Sequence, residues 1–201
     1  MTKGRLEAFS DGVVAILITI MVLELKVPPH GHDGWDALLL KGADGAPSPV
    51  ATLLTYALSF VSLAIYWNNH HHMLHASTKV NGAVLWANTH LLFWLSLIPY
   101  TTAWMQDEGF AKVPTAAYGI VLLMSGLSFT ILRNTLLSAG GPNTPLARAV
   151  VDDLKPRVSI ALYSAAIVLA FVHSLLALTL FITVAIMWLV PSRRVERALR
   201  D

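Results

Sequence analysis

Residues 5–25 read RLEAFSDGVVAILITIMVLEL, a polar opening followed at once by a long apolar run. A helix that begins near Arg5 would be roughly 34 Å long, enough to cross a bilayer core of about 30 Å. A charge near the bilayer centre costs roughly 2.5 to 3.5 kcal/mol, so Arg5 and Asp11 need partners, water or an interfacial depth. Polar groups at this place indicate a function. The modest alternative is that Ser10 or Asp11 only caps the helix.

The whole chain has the composition of an integral membrane protein. Of its 201 residues, 55% are hydrophobic and only 13% are charged, and the mean hydropathy is +0.61. The apolar residues form six blocks long enough for membrane helices. We therefore expect an all-α fold and a single six-helix transmembrane domain over residues 1–201. The predicted helices are at about 5–27, 50–72, 80–105, 113–132, 157–172 and 174–191.

The basic residues are divided unevenly between the two sides of this arrangement. Eleven of the 14 fall on the side of the termini and three on the other. Since positive charge accumulates on the cytoplasmic side, we expect a multi-pass protein of the cell membrane with both termini in the cytoplasm. The net charge of +2 then reflects topology, and no nucleic-acid partner is expected. The two sets are Lys3, Arg5, Lys79, Arg133, Arg148, Lys155, Arg157, Arg193, Arg194, Arg197 and Arg200, against Lys26, Lys41 and Lys112.

Several kinds of chemistry are missing from the chain. It has no cysteine, which excludes disulfides, thiolate metal sites and thiol catalysis. Paired catalytic carboxylates, a nucleophile with a matched base and a Gly-rich nucleotide loop are also absent from the sequence. We therefore expect no enzyme activity and no cofactor.

The histidines leave more than one interpretation open. His71 and His75 have the four-residue spacing that places two imidazoles on one helical face, as in metal sites. Three consecutive histidines, 70–72, point in three directions on a helix, however, and no carboxylate lies nearby in sequence. Structural or pH-sensing histidines are therefore favoured over a metal site. His90, inside the third helix, is expected to be buried and bonded to a neighbouring helix, with a functional role as the alternative.

One face of the first helix could line a pore. Ile16, Ile20 and Leu23 follow at spacings of four and three residues, and Thr19 lies beside them. If several copies of the helix surrounded an axis, these branched side chains would form a constriction that excludes water. Any membrane helix can carry such an apolar stripe, which is the alternative. The polar opening of this helix favours the pore.

At this point the residues resemble a known family. Arg5-x-x-x-Phe9-Ser10-Asp11 is similar to the signature of the transmembrane protein 175 family, potassium channels of endosomes and lysosomes with six-helix prokaryotic relatives. Tyr66-Trp67-x-x-His70-His71, at the end of the second helix, strengthens the resemblance. It implies a homotetramer in which the first helices line the pore, without the carbonyl filter of ordinary potassium channels.

The resemblance also implies roles for individual residues. It places Ile16, Thr19, Ile20 and Leu23 on the pore, with Ile16 as the main hydrophobic constriction and gate. The motif and its helix 2 neighbours would form a supporting network rather than a filter, in which Asp11 is expected to pair with Arg5, His70 or His71. The members of this network are Arg5, Phe9, Ser10, Asp11, Trp67, His70 and His71.

The predicted function is therefore a potassium-selective leak channel. Potassium is its permeant ion, and its partners are further copies of the chain and the lipid bilayer. A proton- or cation-coupled membrane transporter is the alternative. The chain shows no pair of inverted repeats with broken helices, which speaks against that alternative.

Overall fold

The computed structural model describes residues 2–25, 38–39, 47–142, 144, 146–147 and 154–189. Within these residues the fold is all-helical, as predicted, and it comprises six α-helices. They are α1 (Lys3–Ile20), α2 (Pro49–His75), α3 (Gly82–Asp107), α4 (Lys112–Gly140), α5 (Lys155–Val172) and α6 (Ser174–Leu189).

Parts of two predictions lie outside the described residues. These are the predicted ends of the first and last helices, at 27 and 191, and half of the basic residues that predict the orientation. The basic residues concerned are Lys26, Lys41, Arg148, Arg193, Arg194, Arg197 and Arg200.

Five of the six helices are long and apolar enough to cross a membrane. They are α1 with its short extension, which together cover Lys3–Glu24, and α2 to α5. The described part of α6 has 16 residues, which corresponds to about 24 Å and is shorter than a bilayer core of about 30 Å. The number and apolar character of these helices confirm an integral membrane protein.

The first helix ends differently from the prediction. Its α-helical part stops at Ile20 and tightens into a 3-10 turn over Met21–Glu24. Leu25 then takes an extended backbone with ψ 117° and donates its N–H to the carbonyl of Val22. Tight turns of this kind are common at helix ends, because they satisfy carbonyls that have no α-helical donor.

The fourth helix is eight residues longer at its end than the predicted 113–132. Hydropathy marks only the apolar block, but the helix continues beyond Arg133 because Leu132 and Leu136, four residues apart, remain buried. It stops where Gly141 adopts a φ of +89° and donates its N–H to the carbonyl of Leu137 at 2.9 Å. Glycine adopts this conformation without steric cost.

The helices pack unequally. α4 contacts α3, α5 and α6, whereas α1 packs against α2 and α3 at one side of the bundle. Tyr118 and Phe181 are among the largest fully buried side chains, and their rings meet edge to face at 5.3 Å. α1 is thus attached to a packed scaffold along one side only.

Candidate functional site

The two faces of α1 have opposite surroundings. A stripe at spacings of three and four residues is buried against α2 and α3, and its members are Leu6, Ser10, Val14, Leu17 and Met21. The other face is uncovered, with Phe9 53%, Ile16 60% and Leu23 79% exposed. Ile20 and Thr19 lie on that same exposed face. All four residues predicted to line a pore are therefore uncovered in the single chain.

Thr19 is the polar residue among those four. Its hydroxyl donates a hydrogen bond to the carbonyl of Ile16, one turn earlier, at 2.9 Å. This bond uses the hydroxyl hydrogen and leaves lone pairs on the oxygen free to accept. The exposed face of α1 is thus apolar, with one hydroxyl oxygen near its middle.

Ser10 belongs to a buried chain of hydrogen bonds that spans three helices. Asn88 of α3 donates through Nδ2 to Ser10 Oγ at 2.9 Å, and Ser10 in turn donates to the carbonyl of Leu6 at 2.9 Å. Asn88 Oδ1 lies 2.7 Å from Nε2 of His70 on α2. An amide oxygen only accepts, so Nε2 of His70 carries the hydrogen and donates it. Ser10 and Asn88 are fully buried and His70 is 4% exposed.

Asn88 was missed by the sequence reasoning. A signal was present, because an asparagine within an apolar helix needs partners for both the NH2 group and the oxygen of its amide. The sequence does not say which helices supply them. The structure shows that this side chain is what connects the motif serine to the histidine of α2.

The expected partners of Asp11 were wrong. Oδ1 of Asp11 accepts a hydrogen bond from Trp67 Nε1 of α2 at 2.9 Å, and no described arginine or histidine bonds to it. Arg5 is six residues earlier, which on an α-helix is a rotation of about 240°, so the two side chains leave α1 on different sides. His71 instead stacks on the ring of Trp67 with centroids 6.0 Å apart. Within the described part of the chain, Arg5 is exposed and has no hydrogen bond or ion pair.

Lys3 makes a contact that the sequence gave no means of predicting. Its Nζ donates to the carbonyls of His75 at 2.8 Å and Ser77 at 3.1 Å, where α2 ends. A cation at a helix C-terminus satisfies unpaired carbonyls and complements the helix dipole. The start of α1 is thereby fastened to the end of α2.

The other histidines that the structure describes lie at the surface. His71, His72 and His75 are exposed, with His71 and His75 stacked at a centroid distance of 6.3 Å. No group of three metal-ligating side chains is brought together within the described ranges. His90 is exposed rather than buried, contrary to expectation, because it lies on the outer face of α3. Its Nε2 accepts from Trp94 of the same helix at 3.0 Å, not from a neighbouring helix.

Comparison with known proteins gives consistent matches. The family model for the endosomal/lysosomal potassium channel TMEM175 matches residues 5–99. A potassium channel of Chryseobacterium sp. (strain P1-3) is 46% identical over 202 residues and is matched across all of both chains. A potassium channel of Streptomyces collinus is 32% identical over 191 residues, which cover 88% of this chain and 86% of that one.

A solved structure matches the fold. The crystal structure of a lysosomal potassium-selective channel TMEM175 homolog from Chamaesiphon minutus aligns with a TM-score of 0.75 and 27% identity, over 93% of this chain and 96% of that one. The resemblance seen in the motif at residues 5–11 therefore extends over almost the whole fold. The chain belongs to the TMEM175 family.

Proposed function

We propose that the protein is a potassium-permeable channel of the cell membrane, in which the exposed face of α1 lines the ion pathway. The observation that carries the proposal is the division of α1 into a face anchored on α2 and α3 and an uncovered apolar face with Thr19 in its middle. The relatives named as potassium channels support the choice of ion. The family is a channel family, which is not an enzyme class, and we propose no cofactor.

A single copy of α1 cannot enclose a pathway, because no other described part of the chain covers its exposed face. We therefore propose a homotetramer in which four α1 helices surround one axis, each held from behind by its own α2 and α3. Both termini would lie in the cytoplasm, as the charge distribution predicts. Residues 1–201 would form one domain that contributes a quarter of the pore.

Ile16 is proposed to form the narrowest, hydrophobic part of the pathway, followed by Ile20 and Leu23. Rings of branched side chains exclude water, so an ion must shed part of its hydration shell to pass. Potassium holds that shell less tightly than sodium, which favours potassium without a carbonyl filter. The oxygen of Thr19, one turn beyond Ile16, would replace part of the lost water. We propose that such a pore conducts as a leak channel.

The motif is proposed to support the pore rather than to contact the ion. Ser10, Asn88 and His70 bond to one another inside the subunit, and Asp11 is bonded to Trp67. These contacts set the rotation of α1, and this rotation decides that Ile16 rather than Leu17 faces the axis.

The test is a reversal-potential measurement on the purified protein in a planar bilayer, with potassium on one side and sodium on the other. We expect a potential that favours potassium and a large loss of this preference in Ile16→Asn. Ile186→Asn is the matched control, because Ile186 of α6 is 56% exposed against 60% for Ile16 and the chemical change is the same.

The outcomes of this measurement distinguish a channel lined by Ile16 from a different pore lining and from a transporter. If both variants behave like the wild type, Ile16 faces lipid and the proposed pore lining is wrong. A flux that saturates and requires a counter-ion would favour the transporter instead. The mass of the purified complex, measured by native mass spectrometry, tests the tetramer independently of any current.

A further inference from the structure

Three exposed aromatic side chains form a column along one face of α2, near its end. They are Trp67, His71 and His75, which follow at intervals of four residues. The ring of His71 lies beside that of Trp67 at a centroid distance of 6.0 Å and beside that of His75 at 6.3 Å, and both pairs are stacked. Neither imidazole bonds to a side chain that the structure describes, so the ring nitrogens of both are open to a ligand.

The spacing of His71 and His75 is the one by which a helix presents two imidazoles to a single metal ion. Side chains four residues apart lie one above the other, and helical zinc sites use this spacing. Zinc binds imidazole nitrogen at about 2.0 to 2.1 Å, so two rings on one ion have centroids roughly 5 to 6 Å apart. The observed 6.3 Å is close to that separation, and both exposed side chains can rotate to close the difference.

His72 lies next to this pair but points elsewhere. Its ring is 5.8 Å from that of His71 and meets it edge to face at 67°, because consecutive residues leave a helix in directions about 100° apart. In the part of the chain that the structure describes, no third histidine or carboxylate joins the pair to make a three-ligand group. Water would therefore fill the remaining positions around an ion, which makes the site open and its ion exchangeable.

α1 places an excess of negative charge beside this end of α2. Lys3, Glu7 and Asp11 follow at intervals of four residues and share the side of α1 that is attached to α2. Two carboxylates there outweigh one ammonium. One oxygen of Glu7 is buried with no hydrogen-bond partner among the described residues, and it lies 4.0 Å from the ammonium of Lys3. This charge balance favours a cation at the neighbouring imidazoles.

We propose that His71 and His75 together bind one divalent transition-metal cation of the class that prefers imidazole, such as Zn²⁺. Each neutral ring gives one nitrogen, and water completes the coordination. The ion bridges the last turn of α2, where Lys3 bonds to the carbonyl of His75 at 2.8 Å, and so stabilises the end of α2 to which α1 is fastened. It is an exchangeable ligand and not a cofactor. The site uses no residue of the exposed face of α1, so it is tested apart from the proposed pore.

The test is calorimetric titration of Zn²⁺ into the purified full-length protein in detergent, without any histidine affinity tag and at a pH where imidazole is uncharged. We expect one bound ion per chain. His71→Ala and His75→Ala each leave a single imidazole and should weaken binding about tenfold or more. His72→Ala is the matched control, because His72 is also exposed and the chemical change is the same, and it should bind Zn²⁺ like the wild type.

Thermal unfolding gives a second readout. An ion that binds only the folded chain raises the midpoint of unfolding, so excess Zn²⁺ should raise this midpoint in the wild type and in His72→Ala but not in His75→Ala. The last variant keeps the backbone carbonyl at position 75 that Lys3 contacts, so the attachment of α1 to α2 is retained and the comparison reports the ion alone.

Three results would overturn the proposal. The first is an absence of Zn²⁺ binding to the wild type. The second is binding that both His71→Ala and His75→Ala leave unchanged, which would place the ion elsewhere on the protein. The third is an equal loss of binding in His72→Ala and His75→Ala, which would indicate non-specific binding by the histidine-rich segment.

Discussion

Asn88 donates a hydrogen bond to Ser10 at 2.9 Å and so joins the middle of the first half of α3 to the polar opening of α1. Because the oxygen of the same amide accepts a hydrogen bond from His70, one side chain holds three helices in register. The exposed face of α1 therefore depends on a residue that does not belong to α1.

Replacement of Asn88 by leucine should destabilise the protein. The change leaves the buried Nε2 hydrogen of His70 without an acceptor, and it removes the donor to Ser10, which keeps its bond to Leu6. The cost should be about 1 to 3 kcal/mol. The midpoint of thermal unfolding in detergent measures it. Thr89→Val is the control, because Thr89 is the next residue, is exposed and bonds only within its own helix to Leu85. Equal midpoints for the two variants would show that the buried network contributes nothing.

The hydrogen bond from Trp67 to Asp11 should require an acceptor oxygen at position 11 but not a negative charge. Asp11→Asn retains such an oxygen and should assemble nearly as well as the wild type, whereas Asp11→Ala should lower the yield of assembled protein more than it alters ion selectivity. A double-mutant cycle with Trp67→Phe should give a coupling of about 1 kcal/mol in unfolding free energy. Additive effects of Asp11→Ala and Trp67→Phe would contradict the contact.

Replacement of Thr19 by valine keeps the shape of the side chain and removes its oxygen. If Thr19 faces the ion, the potassium conductance should fall about two- to tenfold, the range expected for the loss of one polar contact. Thr183→Val is the matched control, since Thr183 of α6 is also exposed and also bonds back to its own helix, to Thr179 at 2.7 Å. Single-channel current in symmetrical potassium measures both variants. The same current in both would place Thr19 away from the ion.

The ammonium of Lys3 should contribute a stabilisation that salt weakens. Lys3→Met removes a cation from the end of α2 and should cost about 0.3 to 1 kcal/mol at low ionic strength. The difference from wild type should shrink in 1 M salt, where charges are screened over about 3 Å. Lys79→Met serves as comparison, because Lys79 is exposed and lies outside the helices. A salt-independent difference for Lys3→Met would indicate lost packing instead.

Gly119 and Gly126 of α4 should respond to alanine with opposite signs. Gly126→Ala should raise the unfolding free energy by about 0.5 to 1 kcal/mol, because alanine favours a helix and the added methyl group has room. Gly119→Ala should lower it by about 1 to 3 kcal/mol, since the methyl group would press on the fully buried ring of Phe181. The unfolding midpoints of the two single variants give the comparison directly. If Gly119→Ala is stabilising, the side chains around Gly119 move aside to accommodate the methyl group and the prediction is wrong.

The sequence by itself determined the features that depend on near neighbours in the chain. Apolar blocks predicted the membrane helices, and the spacing of Ile16, Ile20 and Leu23 predicted their common face, because helical periodicity is a property of a single helix. The end of α4 was misjudged, since hydropathy reports burial in lipid and not the continuation of a helix against its neighbours.

The tertiary structure alone decided which side of α1 is covered and what holds it. Asp11 meets Trp67, Ser10 meets Asn88, and Lys3 meets the last carbonyls of α2, each across more than 50 residues of sequence. Such pairs depend on how helices are rotated and offset against one another, and short-range patterns carry no information on either. The uncovered face of α1 thus follows from packing rather than from any local motif.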